Sequence, residues 1–252
     1  MSGRFMLFRK LAIMLIFVLL LSSMIIVAYA QAGQGYLVET DNAYVDSSYP
    51  DSNYGGLSPN RDYLQIENYQ YTILSQTYKD EKIVWLKFNF SSMPDGAVVD
   101  SATLNLFLDY SISPDSYDVH AYSCSDDSWN ESSLTYSNMP IYNTISMNST
   151  LVSSMGWYSW NVVDAVRDAL NRNATAVTIV LFDPSSHSSN TTVMFQSEEA
   201  GISSLSSGPH LFIDWSSIVP EFPTFLILPF FTVTILIAVA FYKKKAMPYR
   251  RL

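Results

Sequence analysis

The sequence predicts an all-β fold, a two-layer β-sandwich with one short helix, between an N-terminal signal peptide and a C-terminal transmembrane helix. Nine short segments have the composition or the alternation of strands, and residues typical of turns separate them. A single segment, residues 161–171, repeats its apolar residues at helical spacing. Two long apolar runs, at residues 11–30 and 222–242, bracket the chain.

Residues 1–30 are typical of a secretory signal peptide. Arginine and lysine precede the apolar run, which ends in the small-residue sequence Ala-Tyr-Ala at positions 28–30. These features predict cleavage after Ala30. An uncleaved N-terminal helix is the alternative.

The second apolar run predicts a membrane anchor. Its 21 residues, 222–242, are long enough as a helix to cross a bilayer core. The basic residues of the tail at 243–252 place that tail in the cytoplasm. A short linker, 218–221, then joins the anchor to an extracellular domain at residues 31–217, which makes a single-pass surface protein. A buried helix of a globular domain is the alternative.

The predicted strands lie throughout the extracellular domain, with no internal repeat. In chain order they are 36–45, 63–67, 83–90, 102–108, 117–123, 157–160, 176–182, 192–196 and 210–215. Period-two alternation assigns faces in two of them. The residues predicted to face inward are Val84, Leu86, Phe88, Phe90, Leu104, Leu106 and Leu108. The residues predicted to face outward are Ile83, Trp85, Lys87, Asn89, Thr103, Asn105 and Phe107.

The one predicted helix begins at Asn161, a residue type that favours the N-cap position. Asp164 then lies in the first turn, where a negative charge is favourable. We expect this helix to pack across an edge of a sheet.

Charge argues against a nucleic-acid partner. Residues 31–219 contain six basic and 22 acidic side chains, a formal net charge of −16, and phosphate binding needs clustered Lys and Arg. Cys124 is the only cysteine, so an intrachain disulfide is impossible. The three histidines have no metal-ligand spacing and no nucleophile–base set emerges, so we predict that the protein is not an enzyme.

Residues 128–140, Ser-Trp-Asn-Glu-Ser-Ser-Leu-Thr-Tyr-Ser-Asn-Met-Pro, resemble the signature of the DNRLRE domain family, also grouped as carbohydrate-binding module family 96. Other blocks similar to that family follow its order, and the resemblance covers roughly residues 42–215. These blocks are 42–50 with 53–55, 86–97 with 101–104, 156–157 with 162–166, and 195–200 with 209–211.

The resemblance implies a jelly-roll-like β-sandwich that binds polysaccharide, alginate in some members. Positions where the family commonly carries Arg are here Gln65, Ile83, Asn105 and Glu198. Because Arg is suited to gripping carboxylates in pairs, the expected ligand is a polysaccharide or surface glycan that is not strongly anionic.

Residues 219–223, with the apolar span and basic tail behind them, resemble the PEF-type sorting signal of archaeal surface proteins. The resemblance implies that an archaeosortase-like transpeptidase cuts the chain near residues 220–222. The alternative is a retained anchor, and both outcomes place the domain at the cell surface.

Sugar recognition uses aromatic faces together with a few polar groups. The outward faces of three predicted strands supply six candidate ligand-binding residues: Trp85, Lys87, Asn105, Phe107, His120 and Tyr122. They form one surface if those strands are neighbours, and the alternative is that the second sheet or the helix covers this face. Trp129, in the signature block, is interpreted as a core or loop anchor.

Two further kinds of site are predicted. Calcium is a possible cofactor of such an acidic domain, with oxygen ligands from Asp41, Asp46, Asp51 and Asp214. Five Asn-x-Ser/Thr sequons are candidate glycosylation sites: Asn89, Asn130, Asn148, Asn173 and Asn190. The function that these predictions favour is a non-catalytic carbohydrate-binding or adhesion module anchored at the cell surface. The alternative is a structural envelope protein that contacts other proteins and binds no glycan.

Overall fold

A computed structural model of the chain describes residues 28–55, 63–94, 96–111, 116–188, 192–198 and 208–220, with the isolated positions 233, 236 and 237. Ala32–Ser217 forms one compact unit. Most of the predicted signal peptide, the tail at 243–252 and the predicted anchor at 222–242, apart from the three isolated positions, lie outside the described residues. Within the described part of the chain, no helix has the length and apolar character needed to cross a membrane.

Strands dominate the described residues, and one helix accompanies them. The strands are β1 (Ala28–Asp46), β2 (Tyr54–Gly55), β3 (Tyr63–Ile73), β4 (Gln76–Asn89), β5 (Val98–Ser111), β6 (Tyr117–Cys124), β7 (Asn148–Val152), β8 (Gly156–Asn161), β9 (Ala176–Phe182), β10 (Val193–Gln196) and β11 (His210–Pro220). Helix α1 (Val163–Asn171) lies between β8 and β9. All nine predicted strands are present, which confirms an all-β fold with one short helix.

The strands pair in two antiparallel groups. In the first sheet the order is β2–β1–β4–β9–β6–β7. In the second sheet β8 and β11 both pair with β5, and β10 joins β5 to the first half of β3. The second half of β3 pairs with β4, and β1 is also a neighbour of β11, so two strands connect the sheets.

The main core contains the side chains that the alternation of β4 and β5 assigned to it. All seven predicted inward residues belong to this cluster, and only Phe90, at 7% exposure, retains measurable solvent access. Ala165, Val166 and Ala169 of α1 pack into the same core, which fixes the helix against β5, β6 and β9. The predicted inward faces are therefore confirmed.

A second apolar cluster lies on the other face of the first sheet. It contains Trp85 of β4 and Tyr122 of β6, covered by Trp129 and Leu134. Both covering residues belong to the long loop 125–147, called the covering loop below. The covering loop therefore buries the second face of the first sheet around Trp85 and Tyr122.

The start of α1 differs from its prediction. Asn161 is the last residue of β8, and Val162 occupies the N-cap position without a side-chain capping bond. The Asn161 side chain nevertheless accepts a hydrogen bond from the backbone N–H of Val163, at 3.1 Å. The predicted N-cap is thus wrong by one residue, because pairing with β5 holds Asn161 in the strand.

Candidate functional site

The six predicted ligand-binding residues do not form one surface. Trp85 and Lys87 lie on β4, and His120 and Tyr122 lie on β6, with β9 between the two strands. The remaining pair, on β5, belongs to the second sheet. The condition for a common surface, that these strands are neighbours, is therefore not met.

The covering loop removes Trp85 and Tyr122 from any binding surface. Trp85 is fully buried, with edge-on ring contacts to Trp129 and Tyr142 at centroid distances of 6.0 and 5.9 Å. Tyr122 is 6% exposed and packs on Tyr142 at 5.6 Å, and burial raises the pKa of its hydroxyl. The face of Trp85 is covered, as one alternative held, but by a loop and not by the second sheet or the helix.

Lys87 fixes this loop and is not free to bind a ligand. Its ammonium lies 2.9 Å from Asp41 Oδ2, and the two side chains are only 12% and 13% exposed. The same ammonium donates a hydrogen bond to the backbone carbonyl of Trp129 and lies 4.7 Å from the centre of that indole ring. The indole N–H donates to Thr178 Oγ1 at 3.0 Å. The interpretation of Trp129 as a loop anchor agrees with this geometry.

His120 lies at the rim of the covered region. Its Nε2 is 3.2 Å from Asp118 Oδ2, and its ring is stacked on Tyr122 with centroids 6.1 Å apart. Since the ring on which His120 stacks, Tyr122, is only 6% exposed, this pair offers little aromatic surface to a ligand.

An open aromatic groove lies instead on the outer face of the second sheet. It has a volume of about 490 Å³, within the range of small-ligand sites, and four strands supply its lining. The lining residues are Tyr36, Thr103, Asn105, Trp157, His210 and Phe212. Tyr36 is 60% exposed and Trp157 is 45% exposed, so large aromatic surfaces are available to a ligand.

Strand register explains why these side chains meet. Residues facing each other across antiparallel strands point to the same face of the sheet. Asn105 of β5 pairs with His210 on one side and with Ser159 on the other, which makes a polar row. Phe107 pairs with Trp157 beside that row, and Thr103 pairs with Phe212 on its other side.

The rings form a continuous but angled surface. His210 contacts Tyr36 at a centroid distance of 5.5 Å and Trp157 at 5.1 Å, both edge-on. Tyr36 also packs on Phe212 at 5.0 Å, and Phe107 packs on Trp157 at 5.4 Å. Edge-on contacts support each ring while leaving part of its face open to solvent.

Hydrogen bonds hold the polar row in place. Ser159 Oγ donates to Asn105 Oδ1 at 2.7 Å, and Asn105 Nδ2 donates to the carbonyl of Thr103 at 3.2 Å. His210 Nδ1 lies 3.2 Å from the carbonyl of Gly208. A carbonyl oxygen can only accept, so neutral His210 carries its proton on Nδ1 and presents Nε2 as an acceptor.

Of the six predicted ligand-binding residues, only Asn105 lines this groove, and Phe107 lies behind it in contact with Trp157. The groove residues that the sequence did not identify lie in segments predicted as strands, and they include Tyr36, Trp157, His210 and Phe212. Alternation along the strand predicts that Trp157 faces away from buried Trp160. That signal was available, but it does not say which strands are neighbours.

A second and larger groove, of about 660 Å³, lies between the covering loop and α1. Its lining is mostly serine, asparagine and aliphatic side chains, with Asp164 and Asp168 at the helix and Tyr142 as its one aromatic residue. It therefore lacks the ring faces that the first groove provides.

The four predicted calcium ligands do not come together. Among the described residues, no group of three or more His, Cys, Asp or Glu side chains is arranged to hold a metal ion. Asp41 pairs with Lys87, Asp46 accepts the N–H of Ser48, and the remaining carboxylates accept from serine hydroxyls: Asp51 from Ser137 and Asp214 from Ser101. The calcium prediction gains no geometric support.

Four of the five sequons lie in the described residues. Asn89, Asn130 and Asn173 are exposed, Asn148 is half-buried, and Asn190 lies outside the described residues. Glycosylation of these positions stays a prediction.

The comparison with protein families covers most of the chain. Residues 34–211 match the model of carbohydrate-binding module family 96, a span that contains all of the groove except Phe212. No curated protein matches the chain significantly. The family and the open aromatic groove agree in pointing to carbohydrate. The chain therefore belongs to carbohydrate-binding module family 96.

Proposed function

We propose that this protein is a non-catalytic carbohydrate-binding or adhesion module that binds a polysaccharide or surface glycan in the aromatic groove of its second sheet. The observation that carries the proposal is the exposure of Tyr36 and Trp157, at 60% and 45%, on both sides of His210. Isolated exposed aromatic residues are ordinary, whereas this set shares one groove with a fixed polar row.

The groove suits the two surfaces of a sugar ring. A pyranose presents C–H groups on its faces and hydroxyl groups around its edge. The rings of Tyr36 and Trp157 can cover the C–H faces, and the side chains of Asn105 and His210 can exchange hydrogen bonds with the hydroxyls. Ser159 holds Asn105 in place from the neighbouring strand.

We also infer display at the cell surface. The apolar run at 11–30 directs export, and the run at 222–242 holds the mature chain in the membrane or is removed when the domain is attached to the envelope. We also propose that residues 219–223 are an archaeal sorting signal and that the strands of the domain are connected as in a jelly roll. Mass spectrometry of the mature C-terminus separates a retained helix from a processed one.

A glycan array probed with the full-length chain in mild detergent tests the binding function. For each glycan that the wild type binds, we expect Tyr36→Ala and Trp157→Ala each to lower the affinity about tenfold, because each substitution removes a stacking surface. Tyr49→Ala is the matched control, since Tyr49 is 63% exposed but lies outside the groove.

Equal binding by Trp157→Ala and the wild type, at unchanged thermal stability, contradicts the assigned site. Binding to no glycan at all contradicts the function and favours the alternative, an envelope protein that makes protein contacts. Release of shortened sugars from a bound polysaccharide contradicts the non-catalytic assignment.

A further inference from the structure

We propose that the groove selects uncharged sugars over uronates, and that Asn105 is the residue that sets this selection. The inference rests on the glycan site proposed above and names the class of its ligand. It follows from three features of the described residues: the charges around the groove, the engagement of the basic side chains, and the donors and acceptors of the polar row.

One carboxylate flanks the groove along the direction of its strands. Asp214 lies on β11 two residues beyond Phe212, where its Oδ2 accepts a hydrogen bond from Ser101 Oγ at 2.7 Å. A negatively charged sugar that reaches this end of the groove therefore approaches a negative charge.

The described basic side chains of the domain are engaged elsewhere. Ion pairs hold four of them: Lys79 with Glu81, Lys82 with Glu67, Lys87 with Asp41 and Arg172 with Asp168. Arg167 donates to the backbone carbonyls of Val99 and Asp100. None of these five lines the groove, so no described lysine or arginine is placed there to compensate a bound carboxylate.

The polar row matches hydroxyl groups better than carboxylates. His210 presents Nε2 as an acceptor, and Asn105 has a second amide N–H beyond the one bonded to Thr103. A sugar hydroxyl can donate a hydrogen bond to His210 Nε2 and accept one from the amide N–H of Asn105. A carboxylate only accepts, so it meets the lone pair of His210 and loses water without gaining a charged partner.

The length of the site sets the size of the ligand. From Thr103 to Phe107 the strand rises about 13 Å, enough for two or three pyranose rings in line. Aromatic residues lie at both ends of this distance and the Asn105 row lies between them. We therefore assign the terminal rings of the ligand to stacking and the middle of the ligand to hydrogen bonding.

Matched pairs of ligands test the selection. The probes are cello-, manno- and galacto-oligosaccharides of three to six sugars, each beside its C6-oxidised uronate form, titrated calorimetrically into the full-length chain in non-ionic detergent. We expect the neutral form of a bound series to bind at least tenfold more tightly than its oxidised form, with little dependence on salt.

Two variants assign the selection to its residue. Asn105→Arg brings a guanidinium into the row and is expected to reduce or reverse the ratio of neutral to oxidised affinity, with a strong salt dependence. Asn105→Gln keeps the amide and is expected to keep the ratio, at weaker affinity.

Each outcome decides between the two proposals. If the wild type binds an oxidised form as tightly as the neutral form, or more tightly, the proposed selectivity is wrong. If Trp157→Ala then abolishes that binding, the proposed glycan site is still supported. An unchanged ratio in folded Asn105→Arg overturns the role of Asn105. Binding to none of the probes counts against both proposals.

Discussion

The contact between Lys87 and the covering loop offers a direct test of how the first sheet is buried. Replacing Lys87 by Met keeps most of the aliphatic stem but removes the ammonium. The change leaves Asp41, whose side chain is 13% exposed, without its cation, and it leaves the carbonyl of Trp129 without its donor.

The structure allows a rough magnitude for this loss. Removing one partner of a buried ion pair costs about 3–5 kcal/mol. Asp41 retains hydrogen bonds from Asn130 Nδ2 at 3.2 Å and from the N–H of Glu131 at 3.1 Å, which favours the lower end of that range. We expect Lys87→Met to lower the free energy of unfolding by about 3 kcal/mol.

Urea unfolding of the full-length chain at pH 7, followed by circular dichroism, measures this change. Asp41→Asn alone and the double variant complete a thermodynamic cycle, in which we expect the double variant to recover part of the stability lost by Lys87→Met. Glycan affinity is expected to stay at the wild-type value, because Lys87 lies in the first sheet. A loss below about 1 kcal/mol with no coupling to Asp41 would refute the anchoring role. Loss of glycan binding by a folded Lys87→Met protein would instead contradict the placement of the binding site on the second sheet.

Three further predictions concern stability. Trp160→Phe should lower the unfolding free energy by about 2–3 kcal/mol in urea titrations, because fully buried Trp160 donates its indole N–H to the carbonyl of Val119 at 2.7 Å; a change within error contradicts this. Gly55→Ala should lower the free energy of unfolding by about 1–3 kcal/mol, because the added methyl group would overlap the backbone carbonyl oxygen of Glu131. An unchanged melting temperature would contradict this and show that the covering loop moves at little energetic cost. Burial and then the hydrogen bond to a carboxylate raise the pKa of Tyr136 to about 12, while unfolded tyrosine ionises near 10. The unfolded chain thus binds fewer protons than the folded chain above pH 10, so the free energy of unfolding should fall between pH 10 and 12. Tyrosinate absorbance and urea unfolding at each pH test this prediction, with Tyr136→Phe as the control.

Two strands show how far the sequence leads. In β4 and β5 the same alternation correctly assigned one face of each strand to the core. The other faces look alike in sequence, with Trp85 and Lys87 on one strand and Asn105 and Phe107 on the other. The structure buries the first pair and leaves the second beside an open groove, a difference that no local pattern contains.

The covering loop accounts for most of that difference. Its signature block was recognisable, and Trp129 was interpreted as an anchor. That the loop folds back over β4 and β6 depends on contacts distant in sequence, such as Lys87 with the carbonyl of Trp129 and Asn53 with the carbonyl of Leu134. The two missed strands, β2 and β7, border this region and are short, at two and five residues.

By itself the sequence determined the strands, the inward faces, the single helix and the family, because period-two alternation and ordered motifs are properties of neighbouring residues. Only the tertiary structure decided which outward face stays open. Asn105, Trp157, His210 and Tyr36 come from four strands far apart in the chain. Antiparallel register places the first three on one surface, and ring contacts with His210 and Phe212 add Tyr36 to it. Burial of a surface is a relation between distant segments, so it has no signature in any one of them.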